Sequence, residues 1–370
     1  MTRPDAEIIA RMLHIRTESL ATGEPIALPI ASASMYKLPG IPDTKHQYGR
    51  WTNPTWDALE EALAELEQAP VVTFPSGMGA ISAVFMAHLR PGDRVLLPSD
   101  GYYTSRLFAE QFLVPQGVQL ETCATVDFEH RDLSGLRMVF VESPSNPTLD
   151  ICDIAALSAR AKAAGAMVVA DNTTMTPLGQ RPLDLGADIV VSADTKAING
   201  HSDVLFGHVA ARDPALLEPV MNWRRVSGAI PGTFEAWLVH RSLETLEVRY
   251  DRMASSAGML AERFAGHGAV KAVSYPGLPD HPGHEIAKRQ MTRFGTVIGL
   301  TFADAASAES FIEGCPLIVP ATSFGGVHSS AERRARWGDA VSEGYVRLSV
   351  GCEPGEALWA ACRDSLDDLA

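Results

Sequence analysis

Residues 167–203 read MVVADNTTMTPLGQRPLDLGADIVVSADTKAINGHSD. Two short apolar runs, 167–171 and 189–193, lie in this stretch, both rich in valine and isoleucine and neither alternating with polar residues. Such continuous runs mark strands buried on both faces, as in a parallel sheet covered by helices. Each run delivers one charged residue: Asp171 ends the first, and Lys196 lies just past the second, 25 residues later. The same grammar extends outward. Towards the N-terminus come a helix over 154–164 closed by Gly165, strands over 138–142, 95–98 and 71–74, and a helix over 79–89 stopped by Arg90-Pro91-Gly92. A further helix over 56–68 opens at Pro54 and Thr55 and repeats Leu59, Leu63 and Leu66 at helical spacing. Residues 21–53 are rich in Pro, Gly, Ser and Thr and read as an extended arm. Towards the C-terminus, 213–251 is mainly helical with a break near 228–231, followed by strands over 295–303 and 345–350 and helices over 307–314 and 356–369. Strands alternating with helices predict an α/β protein with a mostly parallel sheet in a large domain. The expected organisation is an arm over 1–52, the large domain over 53–245 and a smaller α/β domain over 246–370.

The chain has 370 residues, 46% of them hydrophobic, enough for a large core and more than one compact unit needs. A net charge of −14 argues against nucleic acid or an anionic membrane as partner. It leaves a local anion site possible, because backbone amides and a few cations can hold a phosphate on an acidic protein. The five cysteines are odd in number and form no C-x-x-C pair, so neither a disulfide framework nor a thiolate metal site is expected. No apolar leader follows the N-terminus, and no run reaches the roughly 18 apolar residues of a membrane span. The expectation is a soluble, cytoplasmic protein with reduced thiols. His281-Pro-Gly-His284 is read as a structural loop, since no acid or thiolate cluster accompanies it. Trp51 and Trp56 are read as packing residues of an interface or core.

Three segments can carry chemistry. In Ser192-Ala-Asp-Thr-Lys196, a lysine beside a buried strand loses its proton readily and can form a Schiff base with a carbonyl. Thr195 and Ser192 offer hydroxyls to a phosphate. The competing reading is an ordinary loop lysine. Asp171 is costly to bury unless it meets a cation, of which a pyridinium nitrogen is one. The competing reading is a helix cap. Pro75-Ser76-Gly77-Met78-Gly79 joins a strand to a helix, where free amides bind phosphate. It lacks both the G-x-G-x-x-G pattern and the Walker ending, so nucleotide readings fit poorly.

With these segments in place the chain resembles the Cys/Met-metabolism PLP-dependent (pyridoxal-phosphate) enzymes, the trans-sulfuration group. The matching stretches run from about Tyr48 to Asp368: Tyr48-Gly-Arg50, Ser76-Gly-Met-Gly, Asp100-Gly-Tyr102, Glu142-Ser-Pro-Ser-Asn146-Pro, Asp171-Asn-Thr, Thr195-Lys196, Gly200-His-Ser-Asp203, Ser323-Phe-Gly-Gly and Arg347-Leu-Ser-Val-Gly351. The resemblance implies an aspartate-aminotransferase-like fold with Lys196 as the carrier of PLP and its proton shuttle, and Asp171 on the pyridine nitrogen. It implies Tyr102 stacked on the ring, and Ser76, Gly77, Met78, Thr195 and Ser192 around the phosphate. Tyr48 and Arg50 would reach the phosphate of a neighbouring copy, which implies a homo-oligomer, a tetramer with shared sites. Asn146 and Arg347 would orient an amino-acid substrate, with Thr322 and Ser323 beside it. Taken singly, Tyr102 reads equally as a half-buried core tyrosine, Arg347 as a surface ion-pair member and Asn146 as a turn residue.

The chain departs from the family wording at Ala193, where a serine is usual, at Tyr103-Thr104-Ser105, at His328 and at Thr322. The wording lies nearest the γ-acting members. The expected activity is α,γ-elimination on cystathionine, giving cysteine, 2-oxobutyrate and ammonia. The alternatives are β-elimination, methionine γ-elimination and γ-replacement. A PLP-binding protein without turnover and a nicotinamide-dependent oxidoreductase are the readings from other classes.

Overall fold

The computed structural model describes residues 5–369. Seven strands build the first sheet: β1 (Val71–Phe74), β2 (Arg94–Pro98), β3 (Gln119–Cys123), β4 (Met138–Glu142), β5 (Met167–Asp171), β6 (Ile189–Ser192) and β7 (Gly207–Ala210). Their order is β1-β7-β6-β5-β4-β2-β3. The pairings from β6 through β5, β4 and β2 to β3 are parallel, and β7 runs antiparallel to both β6 and β1. The central strands are buried throughout, which explains their unbroken apolar sequence. Alternate residues serve opposite faces. Val139, Val141, Val168, Ala170 and Val190 join one core, while Phe140, Val169, Ile189 and Val191 join the other.

Local signals set the flanking helices. Asn53 caps helix Pro54–Glu67, its side chain accepting from the Thr55 amide at 2.9 Å, and Leu59, Leu63 and Leu66 are buried. Ser76 caps helix Gly77–His88 by accepting from the Gly79 amide at 2.9 Å. The long helical run divides at Gly228, which ends helix Pro214–Ser227 with φ 79°, and resumes as Thr233–Leu243 and Leu246–Ala265. The last of these begins in one core with Leu246 and Tyr250 and ends in another with Leu260 and Phe264.

The second sheet comprises β8 (Ala272–Ser274), β9 (Val297–Thr301), β10 (Val319–Pro320), β11 (Ser330–Arg333) and β12 (Tyr345–Ser349), in the order β10-β11-β12-β9-β8. It is antiparallel except for β10 on β11. Helices Ala305–Gly314 and Gly355–Asp367 share its core through Phe311, Ile312, Leu358 and Leu366. No helix among the described residues is long and apolar enough to cross a membrane.

Candidate active site

The parallel strands β4, β5 and β6 end side by side, and ligands of open α/β sheets bind at such carboxyl ends. A cavity of about 540 Å³ opens there, floored by the first sheet and closed from the other side by residues of the second. Asp171 is the last residue of β5, and Glu142, the last of β4, stands beside it in register. Both are buried. The Thr173 amide donates to Asp171 Oδ1 at 3.0 Å, and no ion pair reaches Asp171 among the described residues. Burial holds its carboxyl above the ordinary range, with the Thr173 hydrogen bonds and Lys196 opposing. Burial, and then the charge of Asp171, holds Glu142 well above its ordinary range.

Past β6 the chain turns through Ala193 and Asp194 to Thr195 and Lys196, and the Thr195 amide donates to the Phe206 carbonyl at 3.2 Å. Lys196 is half-buried on the cavity wall. Burial, then the nearby Arg347 cation, lowers its pKa from 10.5 to about 8. Its Nζ donates to Ser323 Oγ at 2.6 Å and lies 5.1 Å from the centre of the Phe324 ring. Ser323 has φ 78°, a left-handed backbone that serine rarely adopts and that occurs most often at functional sites. Beside it Gly325 approaches so closely that an added Cβ would lie 2.6 Å from the Ala197 amide nitrogen. The loop of Ser323 and Gly325 is thus pressed directly onto the lysine turn.

The start of helix Gly77–His88 adjoins the lysine turn on the same cavity. The first-turn amides of Gly77 and Met78 have no intrahelical partner, which leaves them free for an anion. A Cβ on Gly77 would lie 2.4 Å from the Cβ of Ala193, so the absence of a side chain lets the helix start close against the lysine turn. Tyr102 lines the cavity at 39% exposure, and its amide donates to Glu142 Oε2 at 2.6 Å. Arg347, on β12, is buried; its Nη1 donates to Asn146 Oδ1 at 2.5 Å and its Nη2 to the Ser323 carbonyl at 3.0 Å.

The structure therefore gathers Ser76, Gly77, Met78, Tyr102, Asn146, Asp171, Thr195, Lys196, Thr322, Ser323 and Arg347 around one cavity, although they span some 270 residues of chain. Three expected residues lie elsewhere. Ser192, the last residue of β6, is buried opposite His208 and does not line the cavity, because it is in phase with Val190 and so faces the other side of the sheet from Asp171, which pairs with Val191. Tyr48 and Arg50 sit on the arm, where Arg50 Nη1 donates to the Arg225 carbonyl at 2.6 Å and its guanidinium lies over the Tyr48 ring. Their own chain's cavity is not lined by either. Reading the sequence missed Glu142, Thr173, Arg334 and Trp337, all of which line the cavity. Glu142 opens the segment that ends in Asn146, and Thr173 lies two residues past Asp171. Arg334 and Trp337 belong to the run Glu332-Arg-Arg-Ala-Arg-Trp337, which looks like a solvated charged surface. His281 and His284 engage backbone groups, Gly283 N at 3.1 Å and the Pro276 carbonyl at 2.9 Å. Among the described residues no cluster of His, Cys, Asp or Glu could hold a metal ion.

A buried acid without a cation, a lysine of lowered pKa and a helix start with free amides fit the three ends of PLP: pyridine nitrogen, aldehyde and phosphate. The comparisons with known proteins agree. Residues 11–367 match the profile of the Cys/Met metabolism PLP-dependent enzymes. A Streptomyces coelicolor protein, provisionally assigned as a cystathionine gamma-lyase, is 48% identical over 91% of this chain and 87% of its own length. Cystathionine beta-lyase of Lactococcus lactis is 34% identical over 97% of this chain and 99% of its own. The crystal structure of cystathionine gamma synthase from Xanthomonas oryzae, in complex with aminoacrylate and cysteine, superimposes with a TM-score of 0.93 at 34% identity, covering 97% of each chain. The chain belongs to the family of Cys/Met metabolism PLP-dependent enzymes, with the aspartate-aminotransferase-like fold, and is a PLP-dependent trans-sulfuration lyase or synthase.

Proposed function

We propose that this enzyme is a cystathionine γ-lyase that splits L-cystathionine into cysteine, 2-oxobutyrate and ammonia. Among the relatives cited above, the γ-lyase reading is supported by the 48% identity to the Streptomyces coelicolor protein, against 34% for the β-lyase and the synthase. The observation that carries the elimination chemistry is the gathering of Lys196, Asp171 and Arg347 around one cavity.

In this reading Lys196 holds PLP through its Nζ, Asp171 meets the pyridine nitrogen, Tyr102 covers the ring, and Gly77, Met78, Ser76 and Thr195 receive the phosphate. When bound, PLP supplies an electron-withdrawing ring that delocalises negative charge formed at the substrate α-carbon. Burial holds the Asp171 carboxyl above its ordinary range, and a cationic partner at the pyridine nitrogen would favour its ionised form. Arg347 and Asn146 bind and orient the α-carboxylate. Lys196, able to be neutral near its lowered pKa once its Nζ no longer carries the cofactor, would take the proton from Cα, pass it on, and then take one from Cβ. The Cβ–H electrons would form the Cβ–Cγ double bond as the Cγ–S pair leaves with sulfur; one of the two protons completes the cysteine thiol and the other is returned to Cγ, which becomes the methyl group. Water then releases the four-carbon product as 2-oxobutyrate and ammonia. Ser323, held against Nζ, fixes the direction in which the lysine points. Tyr48, exposed on the arm, and Arg50, half-buried beside it, act in this reading on the phosphate of a neighbouring copy, which makes the site a property of an oligomer.

Product analysis on the PLP-loaded enzyme with L-cystathionine tests the reading. The expected products are 2-oxobutyrate and cysteine, lost on Lys196→Ala. Pyruvate with homocysteine would move the cleaved bond to Cβ–S and replace the γ-lyase assignment by a β-lyase one.

A further inference from the structure

The run Glu332-Arg-Arg-Ala-Arg-Trp337 carries four charges in six residues, a composition typical of a solvated face. The fold does the opposite with its first member. Glu332, on β11, stands directly across from Arg347 on β12, and its side chain is fully buried. Its two oxygens are both occupied. Oε1 accepts from Arg347 Nη2 and from Arg334 Nη1, the latter at 2.7 Å, and Oε2 accepts from Trp337 Nε1 at 2.8 Å. Arg334 is in turn bonded to Asp339, its Nε to Oδ2 at 2.7 Å. Two of these partners, Arg334 and Trp337, line the cavity together with Arg347.

Arg347 has five N–H donors in a planar fork. Asn146, the Ser323 carbonyl and Glu332 take three of them, from three different segments of the chain. Nε has no partner, and one Nη1 hydrogen is also left over. The guanidinium is therefore fixed in plane by three contacts while keeping donors for a ligand. Glu332 supplies the only carboxylate among the three contacts and separates two cations, Arg347 and Arg334, that would otherwise face each other.

We propose that Glu332 is a positioning residue for substrate-carboxylate recognition: its carboxylate sets the plane of Arg347, and Arg334 and Trp337 hold Glu332 in place. The inference rests on the reading of Arg347 as the α-carboxylate partner. It makes the edge of the cavity and the carboxylate clamp one connected unit, so that Trp337 influences ligands that never touch its ring.

The experiment uses the PLP-loaded enzyme and glycine, an amino acid with an α-carboxylate and no side chain, titrated by the change in the cofactor's visible absorption. Glu332→Gln raises the glycine Kd about tenfold and the KM for cystathionine alike, while kcat falls less than about threefold and the spectrum without amino acid is unchanged. Trp337→Phe, which removes one hydrogen bond from Oε2 and keeps the fold's charges, shifts the Kd the same way by about twofold. In an Arg347→Ala background Glu332→Gln adds nothing, because its route to the ligand is gone. An unchanged glycine Kd in both single variants, or a full tenfold effect persisting without Arg347, overturns the proposal. If Arg347→Ala itself leaves the glycine Kd unaltered, the failure lies in the carboxylate role of Arg347, and the positioning role falls with it.

Discussion

Of the clusters of buried charge among the described residues, two contrast, one open to the cavity and one sealed. The open cluster is Arg347, Glu332, Arg334 and Asp339. It faces the cavity and keeps an unpartnered Arg347 Nε. The sealed cluster joins three distant segments: His208 on β7 meets Asp194 through Nδ1 at 2.7 Å and Glu67 through Nε2 at 3.1 Å. All three side chains are at most 2% exposed. Burial alone would keep His208 neutral, but Asp194 and Glu67 outweigh it and push its pKa from 6.5 up to about 10. The imidazole is thus a cation at neutral pH, locked between two acids and without room for a ligand. Burial and perturbed titration are common to both clusters. What separates a recognition site from a structural clamp is spare hydrogen-bonding capacity next to a space that a ligand can enter.

The comparison can be broken at the sealed cluster. His208→Leu leaves two buried acids without a cation and destabilises the fold by about 3–5 kcal/mol, read by denaturant unfolding, with KM of the folded enzyme unaltered. Asp194→Ala combined with His208→Leu removes one acid along with the cation and restores much of that loss. A variant of normal stability but altered KM would show that the sealed cluster, whose Asp194 lies two residues from Lys196, also works on the substrate.

A smaller effect is the dependence on pH. His208 has a folded pKa raised above its unfolded value, so its contribution is complete below about 6.5 and is lost as pH rises through about 10. Wild-type enzyme loses a few kcal/mol of stability across that window, and the double variant loses less. Equal slopes for the two would remove His208 as the cause.

The same contrast explains what could be read from the chain. Strands β4, β5 and β6, Asp171 and Lys196 were legible because each is written locally, as an apolar run followed by a charged residue. Strand β7 was not, since Gly207-His208 interrupts its apolar character, and the acids that make a buried histidine tolerable are Asp194, on a preceding turn, and Glu67, some 140 residues away. Strand β3 was missed because it is a partly exposed edge strand with Glu121 in its centre. Glu332 and its partners were illegible for the opposite reason: a run of charges looks exposed until an arginine from the neighbouring strand is placed across from it. Ser192 was set beside the cavity because nothing local says which face the last residue of a strand buried on both sides takes: Asp171 pairs with Val191, and Ser192 falls on the other face.

The most direct test of the central claim, that the cavity around Lys196 is where PLP is held, is borohydride reduction of the PLP-loaded enzyme followed by peptide mapping. The account predicts a pyridoxyl label on Lys196 alone, with none in Lys196→Ala. A label on another lysine, or full labelling of the variant, would contradict it.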